Sequence, residues 1–253
     1  MAATALRDLP ASAPRAGLCS IRQLKSCHGD ATMRELSVGL EPDTVRQLDA
    51  MAANSAWLRK GDALYRPGKP FTALYAIRVG SCKTSAVAAN GREQVTGYHM
   101  LGDIIGLDGI GTERHGCQAI ALEDSMVSAI PFERLEKLAR ASATLQHNLH
   151  QFLSRDIGRD QGMMLLLGTM VVEERIAAFL LNLSERYRQR GYSSTEFVLR
   201  MTRQEIGSYL GMKLETVSRV FSRLQEYGLV RVRGRAVKLL DFPALMRLAG
   251  RRD

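Results

Sequence analysis

One stretch constrains the fold of this chain more than any other, because its pattern predicts two short helices joined by a tight turn. It covers residues 201–229, MTRQEIGSYLGMKLETVSRVFSRLQEYGL. Thr202 followed by Glu205 has the spacing of a capping box, which predicts where the first helix begins. Gly211 interrupts the helical pattern at a point where a left-handed backbone would end that helix. A second helix is predicted to begin near Leu214. The sequence therefore predicts a helix-turn-helix.

The second of these helices has two chemically distinct faces. Four apolar residues at spacings of three and four form its inward face: Val217, Val220, Phe221 and Leu224. The opposite face is polar and carries Lys213, Glu215, Thr216, Ser218, Arg219 and Arg223. A helix held by its back with such a face outward can enter the DNA major groove while the first helix braces it. On pattern alone, an ordinary amphipathic helix pair remains the alternative.

The distribution of charge favours the DNA interpretation. The chain has 253 residues and a net charge of +9, of which residues 171–253 carry +7, from 16 Lys and Arg against 9 Asp and Glu. The excess thus coincides with the helix-turn-helix, as phosphate binding requires. No P-loop, GxSxG, CxxC or HExxH motif is present, so we do not expect an enzyme. A purely structural interaction protein is a further alternative, but it does not explain the basic C-terminal third.

The sequence is that expected of a cytoplasmic protein with no membrane partner. The N-terminus has no apolar segment of the secretory type. The longest apolar run, residues 163–172, is interrupted by Gly168 and Thr169 and is too short to span a bilayer. The four cysteines are too few for a secreted disulfide scaffold.

The chain is predicted to have four parts. Residues 1–30 form a flexible arm with two cysteines, Cys19 and Cys27. Residues 31–135 contain short alternating runs separated by glycines, with an Asn90-Gly91 hairpin turn, and indicate a sensor domain built as an antiparallel β-roll or small barrel. Residues 136–168 form a long helix, and residues 169–253 form the DNA-binding domain. The fold class is therefore α+β.

The long helix carries an apolar seam that favours a homodimer. The seam residues are Leu145, Leu149, Leu153, Ile157, Asp160, Met164 and Leu167. Packing of this face against the chain's own β-roll is the alternative. Asp160 is costly at a dimer interface unless it is paired. It either points off the seam towards solvent or the partner's Arg159, or weakens the dimer so that a signal can control assembly.

After the helix-turn-helix, two short alternating runs flank Gly234 and predict the hairpin of a winged helix. Arg231, Arg233 and Arg235 could contact DNA phosphates there.

Nearly the whole chain, from about Cys19 to Gly250, resembles the FNR branch of the CRP/FNR family of bacterial transcription regulators. The resemblance lies in stretches such as EQVTGYHMLGDIIGLDGIG, ALEDSMVSAIPF, EERIAAFLLNLSERYRQRG and MTRQEIGSYLGMKLETVSRVFSRLQ. It implies a β-roll similar to cyclic-nucleotide-binding domains, a dimerisation helix and a C-terminal winged helix. It also implies an activator that responds to oxygen or redox state.

The recognition helix of that branch carries E-x-x-S-R, which stands here as Glu215-Thr216-Val217-Ser218-Arg219. The resemblance implies a two-fold DNA site like TTGAT-N4-ATCAA, read by Glu215, Ser218 and Arg219. These side chains suit cytosine and guanine edges. Five further residues would contact phosphates: Thr202, Arg203, Lys213, Thr216 and Arg223.

In that branch three N-terminal cysteines and one in the β-roll hold an oxygen-labile [4Fe–4S] cluster. Here Cys19 matches the middle N-terminal cysteine, but Ala16, Lys25 and Ser128 stand at the other three positions. A departed ligand set would comprise Cys19, Cys27, Cys117 and Cys82, with His28 able to replace one. Thiol oxidation and the absence of direct sensing are the alternatives. If a cluster binds, Ile157 and Asp160 would form the switch between monomer and dimer.

The segment GDIIGLDGIGTERHGCQAIALE lacks the Glu and Arg-Ser/Thr pair with which relatives hold a nucleotide phosphate, so no cyclic nucleotide is expected. Another small molecule in the β-roll is the alternative signal. The resemblance also implies contacts with RNA polymerase around Arg78-Val79, residues 87–93 and Asp124. Arg92 stands where relatives often have an acidic residue, which bears on the strength of activation.

Overall fold

The computed structural model describes residues 31–88 and 91–250. These residues divide into two compact units, of which the first ends at Arg155 and the second begins at Asp156. The predicted arm, with Cys19 and Cys27, lies outside the described residues, as does Asn90 of the predicted turn.

The first unit is built around eight strands in two four-stranded antiparallel sheets. One sheet has the order β1-β8-β3-β6 and the other the order β2-β7-β4-β5. The strands are β1 (Ser55–Leu58), β2 (Ala63–Tyr65), β3 (Ala73–Val79), β4 (Ser81–Val87), β5 (Glu93–Met100), β6 (Ile104–Ile105), β7 (Gln118–Ala121) and β8 (Ser125–Pro131). This arrangement agrees with the predicted antiparallel β-roll. Strands β4 and β5 form the hairpin expected around residue 91, with Val87 paired to Glu93 and Gly91 at a φ of 77°.

The β-roll has an apolar core formed by inward-facing residues of its strands, including Leu58, Ile77 and Val127. Its helices are α1 (Ala31–Leu36), α2 (Pro42–Met51) and α3 (Phe132–Ala141), and a 3-10 turn lies at Leu107–Gly109. Together with the first part of α4 (Ala143–Thr169), these helices share a second apolar cluster with β3, β6 and β8.

The helical region after the β-roll differs from the prediction of one helix over residues 136–168. The structure has two helices, α3 and α4, separated at Ser142, whose backbone is extended (φ −132°, ψ 103°). The interpretation of the whole seam as a dimer interface was also wrong for its first part. Leu145 and Leu149 are buried in the core of their own unit.

The second unit contains the predicted helix-turn-helix and wing. Its further elements are α5 (Val172–Gln189), β9 (Glu196–Val198), α6 (Arg203–Leu210), α7 (Leu214–Glu226), β10 (Val230–Arg233), β11 (Ala236–Leu239) and α8 (Phe242–Leu248). Strand β9 was not predicted from the sequence. It pairs with β11 and turns the hairpin into a three-stranded sheet of order β10-β11-β9. Helix α8 was not predicted either. Its N-cap Asp241 accepts a hydrogen bond from the Ala244 N–H at 2.9 Å.

None of the helices within residues 31–88 and 91–250 is both long enough and apolar enough to cross a bilayer.

Candidate DNA interface and sensor residues

The first helix of the helix-turn-helix, α6, begins and ends where its sequence predicts. The Thr202 Oγ1 accepts from the Glu205 N–H at 3.2 Å, and the Thr202 N–H donates to Glu205 Oε2 at 2.7 Å. This reciprocal pair satisfies two backbone donors that a helix start leaves open. The helix ends at Gly211, whose φ of 65° is left-handed.

The turn is tight because Gly207 has no side chain. A Cβ at Gly207 would lie 2.6 Å from the carbonyl oxygen of Met212. That carbonyl belongs to the turn, and the Met212 N–H donates back to the Gly207 carbonyl at 2.9 Å. A larger residue at position 207 would therefore push the turn and α7 away from α6.

Helix α7 is held by its back and presents its polar face. The four predicted inward residues, Val217, Val220, Phe221 and Leu224, are all buried, the most exposed at 3%. Glu215, Ser218 and Arg219 are exposed. No residue in the described part of the chain forms a hydrogen bond or ion pair with these three side chains. They are thus available to an external partner.

Two of the five predicted phosphate contacts are engaged inside the protein. The Arg203 guanidinium lies 3.6 Å above the ring centroid of Phe221, and burial lowers its pKa. Arg223 forms an ion pair with Glu173 of α5. Both arginines therefore fix α7 to its neighbours, a role that residue spacing alone did not indicate.

The other three predicted phosphate contacts differ in exposure. Lys213 is exposed at the start of α7, and Thr216 is half-buried. Thr202 is exposed, although its hydroxyl takes part in the capping box.

The wing is attached directly to the recognition helix. The Gln225 side-chain carbonyl near the end of α7 accepts from the Val232 N–H at 2.8 Å. Arg231 and Arg233 are exposed, whereas the Arg235 guanidinium donates to the Arg200 carbonyl at 3.3 Å. Two of the three wing arginines are therefore free of that backbone tie.

Comparison with known proteins agrees with both units. A cyclic nucleotide-binding domain matches residues 56–142, and a Crp-like helix-turn-helix domain matches residues 174–248. The chain is 45% identical to the transcriptional regulatory protein btr of Bordetella pertussis, over 84% of this chain and 88% of that protein. This chain belongs to the CRP/FNR family of transcription regulators.

Other members of the family are similarly close. The transcriptional activator protein anr of Pseudomonas aeruginosa is 44% identical over 85% of this chain and 88% of its own length. The fumarate and nitrate reduction regulatory protein of Escherichia coli K12 is 43% identical over 81% and 82%. The structure of FixK2 from Bradyrhizobium japonicum superposes with a TM-score of 0.73 at 29% identity, covering 79% of this chain and 98% of that one. The chain is thus a DNA-binding regulator rather than an enzyme.

In this CRP/FNR protein, the segment that lacks the phosphate-binding pair folds into a cluster of buried side chains. The His115 ring stacks on Tyr65 with centroids 3.7 Å apart and is 2% exposed. Its Nδ1 lies 3.5 Å from Asp108 Oδ1, and Asp108 Oδ2 accepts from the Gly116 and Cys117 N–H groups at 2.8 and 3.2 Å.

The Asp108 carboxylate is stabilised as an anion. Burial alone would raise its pKa, but hydrogen bonds, first from His115 and then from the Cys117 backbone, outweigh burial and lower the pKa to about 2. The carboxylate is therefore ionised at neutral pH and would repel a phosphate.

The two described cysteines differ in how accessible they would be to an iron–sulfur cluster, whose ligands are thiolates. Cys82 is 0% exposed in the β-roll core, where burial raises its pKa to about 12. Cys117 is half-buried, with its Sγ 4.0 Å from the Tyr65 hydroxyl. Burial, and then the Asp108 charge, raise the pKa of Cys117 to about 12. The full enclosure of Cys82 thus argues against it as a cluster ligand, whereas the set of Cys19, Cys27 and Cys117 stays a prediction.

The position at which the resemblance implies a cluster cysteine is occupied by a hydrogen-bonded serine. Ser128 is 0% exposed, and its hydroxyl bonds Ser55 Oγ at 2.8 Å. It also accepts from Arg78 Nε at 2.8 Å, and Arg78 Nη2 donates to the Ala52 carbonyl at 3.2 Å. Arg78, which is predicted to contact RNA polymerase, therefore also takes part in hydrogen bonds within the β-roll.

The predicted switch residues lie on the exposed part of α4. Ile157 is 58% exposed, Met164 is 67% exposed and Asp160 is exposed. Arg159, considered as a cross-dimer partner of Asp160, bonds Asp156 of its own chain at 3.0 Å.

Sequence reasoning missed two residues that tie helices to distant backbone. Asn148, 8% exposed, donates to the Leu36 and Val38 carbonyls, both at 2.9 Å. Arg175 at the start of α5 donates to the carbonyls of Leu167, Met170 and Leu210. An amide within the predicted apolar face was a detectable signal for Asn148, but nothing in the helical period marks Arg175.

Proposed function

We propose that this protein is a homodimeric regulator that binds a two-fold DNA site like TTGAT-N4-ATCAA and controls genes in response to oxygen or redox state. In this proposal residues 31–135 form the sensor, the exposed part of α4 within residues 136–168 mediates dimerisation, and residues 169–253 form the DNA-binding domain. Residues 1–30 would supply the arm that responds to the signal.

The observation that carries the proposal is the outward face of α7. Glu215, Ser218 and Arg219 are exposed on a helix whose opposite face is buried. Arg219 can bind the O6 and N7 of guanine with two hydrogen bonds, Glu215 can accept from the cytosine amino group, and Ser218 can serve either base. Lys213 and Thr216, with the wing arginines Arg231 and Arg233, would contact phosphates.

The exposed apolar half of α4 supports the homodimer. Ile157 and Met164 are 58% and 67% exposed in the single chain. Large apolar side chains aligned on one helix face favour pairing with a second copy. A two-fold dimer matches a site whose half-sites lie about one helical turn, roughly 34 Å, apart.

The proposed signal rests on the relatives and on the chemistry of the arm. One relative is named for fumarate and nitrate reduction, and another, 41% identical, is the electron transport regulator A of Shewanella oneidensis. Cys82 is too deeply buried to act as a sensor thiol. The reactive candidates are therefore Cys19 and Cys27, with Cys117 as a half-buried third.

A ligand in the β-roll is a weaker candidate for the signal. The region at which a nucleotide phosphate would bind is occupied by the side chains of Tyr65, His115 and Asp108. The Asp108 carboxylate is negatively charged there. RNA polymerase remains a proposed partner through the surface around residues 87–93 and Asp124.

DNA binding is tested by fluorescence anisotropy at a fixed salt concentration, because phosphate contacts make affinity salt-dependent. We expect the wild-type protein to prefer the two-fold site over a scrambled duplex. Arg219→Ala removes one bidentate base contact, worth about 1–3 kcal/mol, from each half-site. It should therefore weaken binding to a single half-site by about 5- to 150-fold and binding to the two-fold site by more. Arg188→Gln is the control, because it removes a positive charge outside the recognition helix. Arg188 lies on α5 and pairs with Glu185 at 2.7 Å. Equal binding to both duplexes would refute the proposal.

The signal is tested by purifying the protein without oxygen and measuring DNA affinity before and after exposure to air. Iron and sulfide content separates the two chemistries: their presence identifies a cluster, and their absence with a reversible response to thiol reductants identifies thiol oxidation. Unchanged affinity in air would contradict the proposed response and leave DNA binding intact. Cys19→Ser and Cys27→Ser are expected to abolish the response, whereas Cys82→Ala is expected to keep it.

A further inference from the structure

The guanidinium of Arg175, in the first turn of α5, donates hydrogen bonds to three backbone carbonyl oxygens. Its Nη2 bonds the Leu167 carbonyl at 2.8 Å, in the last turn of α4. Its Nε bonds the Met170 carbonyl at 2.9 Å, in the link between α4 and α5. Its Nη1 bonds the Leu210 carbonyl at 3.0 Å, at the end of α6. One side chain therefore connects the end of the long helix with the end of the first reader helix.

Each of these contacts satisfies a need of the backbone. The last carbonyls of a helix have no N–H partner within that helix and carry partial negative charge. An arginine fork provides charge-assisted hydrogen bonds in a fixed plane, so it sets the relative direction of the groups it holds. Arg175 therefore stabilises the ends of α4 and α6 and fixes their mutual orientation.

The packing around Gly211 shows how closely the two ends approach. A Cβ at Gly211 would lie 3.3 Å from Leu167 Cδ2 and 3.4 Å from Arg175 Nη1. Leu167 of α4 thus lies directly against the turn that leads into α7. A change in the direction of the last turn of α4 would be transmitted to this turn.

We propose that Arg175 is a positioning residue that fixes the recognition helix relative to the end of α4 and thereby sets the half-site spacing that a dimer accepts. The inference rests on the proposed two-fold DNA site. Arg175 needs no contact with DNA for this role, because its donors are directed to Leu167, Met170 and Leu210. Without Arg175, each DNA-binding domain would still recognise one half-site. The two recognition helices of a dimer would no longer be held at one fixed separation.

The test measures the affinity of the full chain for a single half-site and for two half-sites separated by three, four, five or six base pairs. Each added base pair moves one half-site by about 3.4 Å and rotates it by roughly 35°. The wild-type protein should prefer one spacer sharply. Arg175→Gln should bind the single half-site within about twofold of wild type but lose about tenfold on the preferred spacer, the size expected from losing one or two charge-assisted hydrogen bonds.

Two further variants make the result interpretable. Arg188→Gln removes the same charge from the same helix without touching the turn, so its spacer preference should equal that of wild type. Arg175→Lys keeps the charge but replaces the fork by a single ammonium group, which cannot reproduce three directed bonds. Arg175→Lys should lose part of the preference for one spacer length. It also tests the proposal if Arg175→Gln does not fold.

Each outcome decides the proposal. An unchanged spacer preference in Arg175→Lys, or in a folded Arg175→Gln, overturns it. An equal loss on the single half-site and the paired sites also overturns it, because Arg175 would then only stabilise the reader. If the wild-type protein itself shows no preference for paired sites, the proposed two-fold DNA site has failed, which is a different result.

Discussion

The two halves of helix α4 carry one apolar stripe, broken at Asp160, but lie in different surroundings. In the first half, Leu145 is 0% exposed and Leu149 is 8% exposed. In the second half, Ile157 is 58% exposed and Met164 is 67% exposed. A helical period of apolar residues therefore specifies which face needs a partner, but it does not specify which partner covers that face.

The difference arises from elements distant in sequence. The first half is covered by residues of α1, α2 and α3, including Leu36, Leu48 and Leu135. Asn148 adds hydrogen bonds to the backbone at the end of α1 and just after it. The first half is thus part of a domain core, whereas the second half keeps the character of an interface.

The largest expected effect is that of Leu145→Ala on stability. Removing a fully buried leucine side chain leaves a cavity and lowers the free energy of unfolding by about 2–5 kcal/mol. Met164→Ala, at an exposed position of the same stripe, should change it by less than about 0.5 kcal/mol. Urea unfolding of both variants at protein concentrations that favour the monomer checks this. Similar losses in the two variants would remove the distinction between the halves.

A smaller effect is expected from Asn148→Ala. The substitution leaves the Leu36 and Val38 carbonyls without their side-chain donor, and an unsatisfied buried polar group costs about 1–3 kcal/mol. Gln151→Ala is the matched control, because Gln151 is exposed on the same helix and its amide bonds the neighbouring His147. Thermal unfolding should separate the two variants, and equal midpoints would show that Asn148 is not an anchor.

The helix-turn-helix could be predicted in detail because its determinants are local. The capping box joins Thr202 and Glu205, three residues apart, and Gly211 ends α6 by its own left-handed backbone. The buried face of α7 follows from the helical period alone. The same reasoning predicted the β4–β5 hairpin, since the turn and the two paired strands are adjacent in sequence.

The parts that could not be predicted depend on distant pairs. Asn148 bonds a carbonyl 112 residues away, and Arg223 pairs with Glu173, 50 residues away. No period or spacing contains such information. The same limit applies to the cysteines: the resemblance suggested Cys82 as a ligand, whereas its position inside the β-roll core is set by strand pairing.

Ile157→Ala tests whether the exposed half is an interface. Because the side chain is largely exposed in the single chain, the stability of the monomer should hardly change. In a dimer the lost apolar contact should weaken association by about tenfold, or about 1.4 kcal/mol. Leu165→Ala is the matched control, since Leu165 is 63% exposed but lies off the predicted seam. Sedimentation equilibrium measures both, and a stronger effect of Leu165→Ala would place the interface on a different face.

The smallest expected effect, and the only one that should strengthen association, is that of Asp160→Ala. A two-fold seam brings the Asp160 carboxylates of both protomers towards each other, and Arg159 does not neutralise its own chain's copy because it bonds Asp156. Two like charges about 4 Å apart in water repel by about 1 kcal/mol, so removing them should tighten the dimer by about fivefold.

Asp160→Asn keeps the shape of the side chain and removes its charge. If charge is the cause, both variants should dimerise more strongly than wild type in air, and the gain should shrink as salt screens the repulsion. A gain in Asp160→Ala alone would instead assign the effect to the size of the side chain, and a variant that stays monomeric would show that Asp160 does not oppose assembly.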